Sequence, residues 1–435
     1  AALLASLALA AACGRPPGPR GWAAARPVSV QNEELVLVAH KKTLFALPQG
    51  SSNPGWQFPP KDRDAYSISE QRRAELAAQV DALDVSADEK SRLNAAVDDL
   101  HVSGPSGKTL KDAINGSSAS SDAKKQLASD VDEAMRDEKT ALTQVTALYG
   151  NIAVSDDGTT AYFGGFGSWF YAVDTQSGDT RWIHNLDGGV IGGAAFDAAR
   201  DTVYVGTKGS RLYALDAATG DERWIFKTSG EVWSAPTLDG DAIYATSLDG
   251  TVYKLNTSGG EEWRFGDAGS GIASEAIPDN GRVFVGSFDN KLYALDQNDG
   301  TMAWSVSADN WFWATPLVRD GVVYAASLDG KVYAVSEDSG EARWDQPFDT
   351  GSPVRSSPTF AGGGLLVASR DGDVYKLDVQ TGQPIDGSPG VTDQTVEADL
   401  TSDQKDRVYV VPRSATLFIV DAAGTVAVTS FALPQ

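Results

Sequence analysis

Aspartate-rich turns and three histidines are the residues of this sequence whose side chains could bind a metal ion or transfer a proton. The turns are Asp156-Asp157-Gly158, Leu248-Asp249-Gly250 and Asp296–Gly300, and the histidines are His40, His101 and His184. A calcium loop of the EF-hand type needs oxygen ligands at fixed positions around a central glycine, and none of the turns has that spacing. The histidines are far apart and fall in different predicted elements. We therefore predict no metal site and no catalytic residue, and we interpret the aspartates as turn formers between strands.

Cys13 is the one cysteine of the chain, so neither an intramolecular disulfide nor a cysteine-based zinc site can form. It directly follows an alanine- and leucine-rich stretch, 1–12, that is too short to span a bilayer. This arrangement resembles the end of a bacterial lipoprotein signal, in which the cysteine is lipidated. The alternative is a plain secretory peptide with an incidental cysteine. We predict a signal remnant with lipidated Cys13 over 1–13, a Pro/Gly/Arg-rich tether over 14–26, and an extracytoplasmic, lipid-anchored protein.

The charge of the chain limits the classes of partner that it can bind. The formal net charge is −23 at pH 7 and the isoelectric point is about 4.5. Nucleic-acid binding needs a basic surface, so the composition argues against it.

Two aromatic markers recur through the chain and define its architecture. One marker lies 40 to 43 residues from its next copy, and the other, a tryptophan, 39 to 42 residues from its next copy. The first marker is Tyr171, Tyr213, Tyr253, Tyr293, Tyr333, Tyr375 and Phe418, with Phe45 in a separate first repeat. The second is Trp182, Trp224, Trp263, Trp304 and Trp344, with Trp56 in the first repeat. Four short strands in each of eight such units predict an all-β, eight-bladed β-propeller with four-stranded antiparallel blades.

The segment 61–148 lacks this strand pattern and is predicted to be helical. Ser67-Ile-Ser-Glu70 and Ser86-Ala-Asp-Glu89 have the spacing of helix capping boxes. Apolar residues recur at helical spacing in four stretches. We predict blade 1 over 27–60, an α-helical insertion over 61–148, and blades 2–8 over 149–435.

One sequence motif recurs, at least in part, in most of the repeats. Its complete copy consists of Ala214, Asp216, Thr219, Gly220 and Trp224. It resembles the tryptophan-docking repeat of PQQ-type propellers. The resemblance implies that the six marker tryptophans hold one blade to the next. It also implies two kinds of relative, lipid-anchored outer-membrane assembly proteins and quinoprotein dehydrogenases that bind PQQ with calcium. The single cysteine rules out the vicinal disulfide common in those enzymes, and we see no carboxylate cluster beyond the turns. We therefore expect neither PQQ nor calcium.

The repeat register also predicts which residues meet at one mouth of the channel. Stepping back about 20 residues from the tyrosine marker reaches the start of each innermost strand. These positions are Tyr149, Ile191, Trp233, Ala273, Trp313, Arg355 and Glu397, with Trp311 close by. Aromatic residues and arginine are common anchors of protein interfaces, but tryptophans here could equally fill the funnel between the blades. Since the insertion connects an outermost strand to an innermost one, we expect its helices to stand beside this mouth as a collar, lid or arm.

These observations favour a non-catalytic scaffold that binds protein or peptide partners in the cell envelope, with a role in outer-membrane protein assembly. A PQQ-dependent dehydrogenase or other small-ligand enzyme, and a surface sensor or receptor domain, remain the alternatives.

Overall fold

A computed structural model describes residues 24–30, 33–49, 51, 53–61, 66–385, 394–414, 416–422 and 427–433. Cys13 and most of the predicted tether lie outside the described residues. The first strand begins at Ala24, inside the predicted tether range of 14–26. Among the described residues, no helix combines the length and apolar character needed to cross a bilayer.

The strands form eight antiparallel sheets that follow one another along the chain, which confirms the eight-bladed propeller. Blade 1 contains β1 (Ala24–Val30), β2 (Glu33–His40), β3 (Thr43–Pro48) and β4 (Trp56–Phe58). Blade 2 contains β5 (Ala153–Val154), β6 (Thr160–Gly164), β7 (Trp169–Asp174) and β8 (Thr180–Asn185). Blade 3 contains β9 (Ala194–Asp197), β10 (Thr202–Thr207), β11 (Arg211–Asp216) and β12 (Glu222–Lys227). Blade 4 contains β13 (Thr237–Asp239), β14 (Ala242–Thr246), β15 (Val252–Asn256) and β16 (Glu261–Phe265).

The remaining blades repeat this order, and the outermost strand is short in blade 6 and replaced by a bridge in blade 7. Blade 5 contains β17 (Ile277–Asp279), β18 (Arg282–Gly286), β19 (Lys291–Asp296) and β20 (Met302–Ser307). Blade 6 contains β21 (Leu317–Arg319), β22 (Val322–Ala326), β23 (Lys331–Ser336) and β24 (Phe348–Asp349). Blade 7 has three described strands, β25 (Thr359–Ala361), β26 (Gly364–Ala368) and β27 (Val374–Leu377), and a bridge from Leu377 to Pro384 in place of a fourth. Blade 8 contains β28 (Thr401–Ser402), β29 (Arg407–Val410), β30 (Thr416–Asp421) and β31 (Ala427–Ala432).

The six marker tryptophans each donate a hydrogen bond from Nε1 to a backbone carbonyl of the following blade, over 2.8–3.0 Å. The pairs are Trp56 with Thr175, Trp182 with Ala217, Trp224 with Thr257, Trp263 with Gln297, Trp304 with Glu337 and Trp344 with Val379. Each ring also packs under a glycine of that blade's outer turn, where an added Cβ would lie 2.5–2.9 Å from the ring. The glycines are Gly178, Gly220, Gly259, Gly300, Gly340 and Gly382. The tryptophans therefore join neighbouring blades.

Trp344 departs from the expected strand. It was predicted on a return strand like the others, but it lies in a bend before the two-residue strand β24. Pro347 follows it and has no N–H to donate to the sheet. Trp344 still reaches Val379, so the contact between blades 6 and 7 does not need a regular strand.

The ring closes without exchange of strands between its ends. Blades 1 and 8 are each built from consecutive strands, and β1 lies beside β28. An apolar cluster that includes Val38, Phe45 and Tyr409 joins the two blades. Glu34 adds ion pairs to Lys405 and Arg407 across the same seam. Side-chain contacts between blades 1 and 8 therefore close the propeller ring.

The insertion consists of four helices, α1 (Glu70–Asp81), α2 (Ala87–Asp98), α3 (Ser106–Gly116) and α4 (Ser121–Thr143). Ser86 and Glu89 form the predicted capping box at α2. The predicted cap of α1 was wrong, because Ser69 and not Ser67 accepts the hydrogen bond from the Arg72 amide. Ser67 instead pairs with His101 in a β-bridge.

The helices pack against the outer side of blades 1 and 2. Their apolar faces share one core with Phe58 of blade 1 and Phe163 and Tyr171 of blade 2. The Tyr171 hydroxyl donates to the Ala141 carbonyl over 2.9 Å, and α1 runs beside the outermost strand β8. Blades 1 and 2 therefore cover the apolar faces of the helices, and the role of the insertion as a collar, lid or arm beside the mouth stays a prediction.

Candidate functional site

A repeated backbone hydrogen bond fixes the register of the channel mouth in blades 2–8. In each blade the amide just after the second strand donates to a carbonyl that precedes the innermost strand, over 2.8–2.9 Å. The pairs are Phe166 to Ala147, Lys208 to Gly189, Leu248 to Glu231, Phe288 to Gly271, Leu328 to Trp311, Arg370 to Pro353 and Arg413 to Thr395. Side chains of equivalent positions therefore form rings.

Two such rings surround the mouth. The inner ring is made by the residues two positions after each acceptor: Tyr149, Ile191, Trp233, Ala273, Trp313, Arg355 and Glu397. These are the seven positions that the sequence placed in one column. The outer ring is made by the donors themselves: Phe166, Lys208, Leu248, Phe288, Leu328, Arg370 and Arg413. We missed the outer ring in the sequence, although the Ser-X-Asp-Gly turns at 247–250, 327–330 and 369–372 mark its positions.

Aromatic rings occupy one side of the mouth. Trp233 and Trp313 meet across Ala273, with ring centroids 6.2 Å apart. Phe288 of the outer ring stacks on both Trp311 and Trp313, at 4.6 and 4.9 Å. The three tryptophans are half-buried. They therefore narrow the funnel and also leave aromatic surface at the mouth.

A cluster of three arginines around one carboxylate occupies another side. Glu397 is 3% exposed and accepts a hydrogen bond from Arg413 Nε over 2.7 Å. Its other oxygen, Oε1, lies 3.7 Å from Arg355 Nη1 and 3.4 Å from Arg370 Nη2. Burial lowers the pKa of Arg355 to about 10, which still leaves this guanidinium protonated at neutral pH. The sequence predicted Arg355 and Glu397 at the mouth but not their ion pair.

Tyr149 lies on the remaining side, beside the outer ring. Its ring centroid is 5.9 Å from that of Phe166, and Lys208 Nζ lies 4.2 Å above the Phe166 ring. Burial raises the pKa of the Tyr149 hydroxyl, and the charges of Arg355 and Arg413 oppose that rise. The inner and outer rings thus meet at Tyr149 as they do at Trp313.

A belt of polar side chains crosses the channel two residues below the inner ring. The Glu275 amide donates to Thr315 Oγ1, the Thr315 amide to Ser357 Oγ and the Ser357 amide to Asp399 Oδ1, over 2.7–3.1 Å. Asn151 Nδ2 donates to Glu275 Oε1 over 3.3 Å. Burial, with the nearby charge of Asp399, raises the pKa of Glu275 to about 8. This belt was not predicted, because its members differ in residue type from blade to blade.

The free space at the mouth is small. About 70 Å³ between the inner ring and the polar belt can hold water, whereas small-molecule sites occupy roughly 300–1,000 Å³. A larger cavity of about 540 Å³ lies on the other side of the belt, where the charged lining residues are Arg26, Asp156, Glu275 and Asp399. Within the described ranges, no group of three or more His, Cys, Asp or Glu side chains is arranged to bind a metal ion.

The helical insertion contributes nothing to the lining of the mouth cavity within the described part of the chain. Residues 146–148, at the end of the insertion, lie beside the mouth. Gly167 N–H donates to Thr146 Oγ1 at this point, and Leu148 N–H donates to the Lys41 carbonyl over 2.6 Å.

The fold and the mouth together define an eight-bladed β-propeller of PQQ-like repeats whose blades are joined by tryptophans. The family model described as "Outer membrane protein assembly factor BamB" matches residues 167–274 and 251–432, which together exceed half of the chain. The chain belongs to this family.

Solved structures show the same fold at low sequence identity. BamB from Moraxella catarrhalis superposes with a TM-score of 0.52 and 22% identity, over 66% of this chain and 83% of that chain. The computationally designed Ika8 protein superposes with a TM-score of 0.56 and 16% identity, over 66% of this chain and 88% of that chain. No curated protein sequence matches the chain.

Proposed function

We propose that this protein is a non-catalytic scaffold of the bacterial cell envelope that binds protein or peptide partners at the mouth formed by the inner and outer rings. Its role would resemble that of the outer membrane protein assembly factor that names its family. Lipidation of Cys13 would attach it to a membrane, on the periplasmic face or at the cell surface. The observation that carries the proposal is the gathering of Trp233, Trp311, Trp313 and Arg355 at one mouth.

The mouth tryptophans differ from the docking tryptophans in a way that supports binding. Trp182 and the other docking rings reach the next blade through Nε1 and a glycine turn. Trp311 and Trp313 instead stack on Phe288 at the channel opening, where both are half-buried. Tryptophan beside arginine is typical of the residues that dominate binding energy at protein interfaces.

A photo-crosslinking residue in place of Trp311 tests the proposal in intact cells. We expect it to form adducts with a small set of envelope proteins. The matched control is the same residue in place of Ile225, which is 40% exposed on the outermost strand of blade 3. Adducts that are equal at both positions would contradict the proposal.

Attachment through Cys13 has its own test. Cells fed a radiolabelled fatty acid should label the chain, and Cys13→Ala should abolish the label and move the protein from the membrane fraction to the soluble extracytoplasmic fraction. A membrane-bound, unlabelled wild-type chain would show that Cys13 is not the anchor.

A further inference from the structure

One side of the mouth concentrates positive charge on a strongly negative protein. The whole chain has a formal net charge of −23. The inner and outer rings together hold four cationic side chains, Lys208, Arg355, Arg370 and Arg413, against the single carboxylate of Glu397. The ring positions themselves therefore sum to a formal charge of about +3 at neutral pH. Carboxylates lie next to them, since Asp249, Asp289, Asp329 and Asp371 directly follow outer-ring residues and Glu231 accepts a hydrogen bond from Trp233. The positive charge is concentrated at the three arginines around Glu397.

The aspartates that directly follow outer-ring residues, Asp249, Asp289, Asp329 and Asp371, accept hydrogen bonds within their own turns. Asp289 and Asp329 lie in the turns next to the outer ring, and Asp289 accepts hydrogen bonds from the Lys291 amide, the Gly269 amide and the Tyr293 hydroxyl. Asp329 is held in the same way by the Lys331 amide and the Tyr333 hydroxyl. Their oxygens are thus directed to the turns and the tyrosines.

Glu397 shows how the arginine cluster binds a carboxylate. One buried carboxylate is contacted by three guanidinium groups, those of Arg355, Arg370 and Arg413. Each guanidinium has five N–H donors arranged for planar, two-point recognition of carboxylates. The side chains of Arg370 and Arg413 are 52% and 48% exposed, so about half of each faces solvent at the mouth. One carboxylate cannot neutralise three cations, and the cluster retains capacity for a second anion.

The aromatic side of the mouth adjoins this cluster. Arg355 lies over the Trp313 ring. Phe288 stacks on both Trp313 and Trp311. A ligand that placed a carboxylate on Arg370 and Arg413 could lay an apolar or aromatic neighbour on these rings.

We propose that the mouth recognises carboxylate groups of a protein partner, presented by an acidic segment in which aromatic residues alternate with glutamate or aspartate. Arg370 and Arg413 bind the carboxylates, and Trp311 and Trp313 contact the aromatic residues. This inference rests on the proposed scaffold function and specifies the chemistry of its partner. The partner's acidic side chains and its C-terminal carboxylate present the same chemistry, and the probes below separate the two.

Fluorescence anisotropy with short labelled peptides tests the proposal on the full chain. The probes are a hexapeptide of alternating glutamate and tryptophan with an amidated C-terminus, its glutamine counterpart, and the glutamine counterpart with a free C-terminal carboxylate. We expect the glutamate peptide to bind at least about tenfold tighter than the amidated glutamine peptide in low salt, and added salt to weaken it. Recovery of most of that difference by the free carboxylate alone would identify chain termini as the source.

Variants assign the binding to the cluster. Arg370→Gln and Arg413→Gln should each weaken glutamate-peptide binding about fivefold or more. The matched control is Arg319→Gln, since Arg319 is 57% exposed and also lies over an aromatic ring, that of Phe360, at the far end of β21. Glu397→Gln should tighten binding, because it removes the carboxylate that competes for the arginines. Thermal melts of each variant would show that the fold is kept.

The results that overturn the inference differ from those that overturn the scaffold function. Equal binding of the glutamate and glutamine peptides, an equal loss in Arg319→Gln, or weaker binding in Glu397→Gln with an unchanged melt would reject carboxylate recognition. Tighter binding to vesicles of anionic lipid than to the glutamate peptide would also reject it in favour of a membrane surface. Adducts from the Trp311 crosslinker would still support the scaffold function in each case.

Discussion

The guanidinium of Arg355 lies over the indole of Trp313, with its central carbon 3.9 Å from the ring centroid. The two residues are the corresponding positions of neighbouring blades, so the propeller repeat itself stacks a cation on an aromatic ring. Glu397, from the next blade, lies on the other side of the guanidinium at 3.7 Å. Three consecutive blades thus contribute an aromatic ring, a cation and an anion to one wall of the mouth, and Arg370 and Arg413 contact the same anion.

Replacement of mouth and docking tryptophans should separate binding from stability. Trp182→Ala removes a fully buried ring and its hydrogen bond to Ala217, and we expect a loss of about 3–5 kcal/mol in the free energy of unfolding. Trp313→Ala removes a half-buried ring and should cost about 1–2 kcal/mol. Urea denaturation measures both changes. Equal losses would mean that the mouth tryptophan is as structural as the docking one.

The glycine that packs against each docking tryptophan should tolerate no side chain. Gly220 has φ of +75° and an added Cβ would lie 2.6 Å from Trp182. Gly321 has the same φ of +75° but has no atom within 4 Å of such a Cβ. Gly321→Ala should therefore lose only the cost of a left-handed alanine, about 1–2 kcal/mol. Gly220→Ala should lose clearly more, because the Trp182 ring has to move.

Denaturant melts of the two glycine variants give the comparison directly. The difference between them isolates the contact with Trp182, since the backbone conformation is matched. Variants of equal stability would show that the turn, and not the ring under it, sets the need for glycine.

The sequence predicted the propeller and the inner ring because both depend on one repeated register. The 40-residue spacing that aligned Tyr213 with Tyr253 also aligned Trp233 with Trp313, and the backbone hydrogen bonds of the mouth keep that register in seven blades. The arginine cluster was incomplete in the sequence because Arg370 and Arg413 belong to a second column. Only the packing of blades 7 and 8 brings that column against Glu397.

The helical insertion shows a different limit of the sequence. The apolar spacing and the caps predicted four helices, and residues such as Leu76, Val80 and Val97 are buried as expected. The spacing of apolar residues predicts that each helix has an apolar face. It does not predict which surface covers that face. Phe58 and Tyr171 supply the surface, and nothing in their repeat positions distinguishes them from the same positions in other blades.

Removal of the insertion should uncover that surface. Replacement of residues 66–145 by a short glycine–serine linker would expose Phe58, Phe163 and Tyr171 and remove the Tyr171 hydrogen bond to Ala141. We expect a loss of at least about 5 kcal/mol in the free energy of unfolding and stronger binding of a hydrophobic dye. Lys125→Ala, at an exposed position of α4, is the control and should change neither. An unchanged melt after the deletion would mean that the helices are an independent decoration.

A buried carboxyl group should make the stability of the protein depend on pH. Glu138 of α4 is 3% exposed and accepts hydrogen bonds from the Ser69 amide and hydroxyl at the start of α1. Burial raises the pKa of Glu138 from 4.5 to about 7, although Ser69, Arg72 and Arg73 oppose the rise. The folded state therefore binds this proton more tightly than the unfolded state does.

The sign of the effect follows from that difference. Below about pH 4.5 Glu138 is protonated in both the folded and the unfolded state. The protonated group then makes its full contribution to the free energy of unfolding. Between about pH 4.5 and 7 only the unfolded state releases the proton, so stability falls as the pH rises, by at most about 3 kcal/mol, and levels off above pH 7. Glu138→Gln cannot titrate and should lack this part of the fall. Unfolding free energies at pH 5 and pH 8 measure it as the difference between wild type and variant, with the exposed Glu75→Gln as the control that keeps the wild-type fall. A Glu138→Gln variant that loses as much stability between these two pH values as the wild type would show that Glu138 does not titrate in this range.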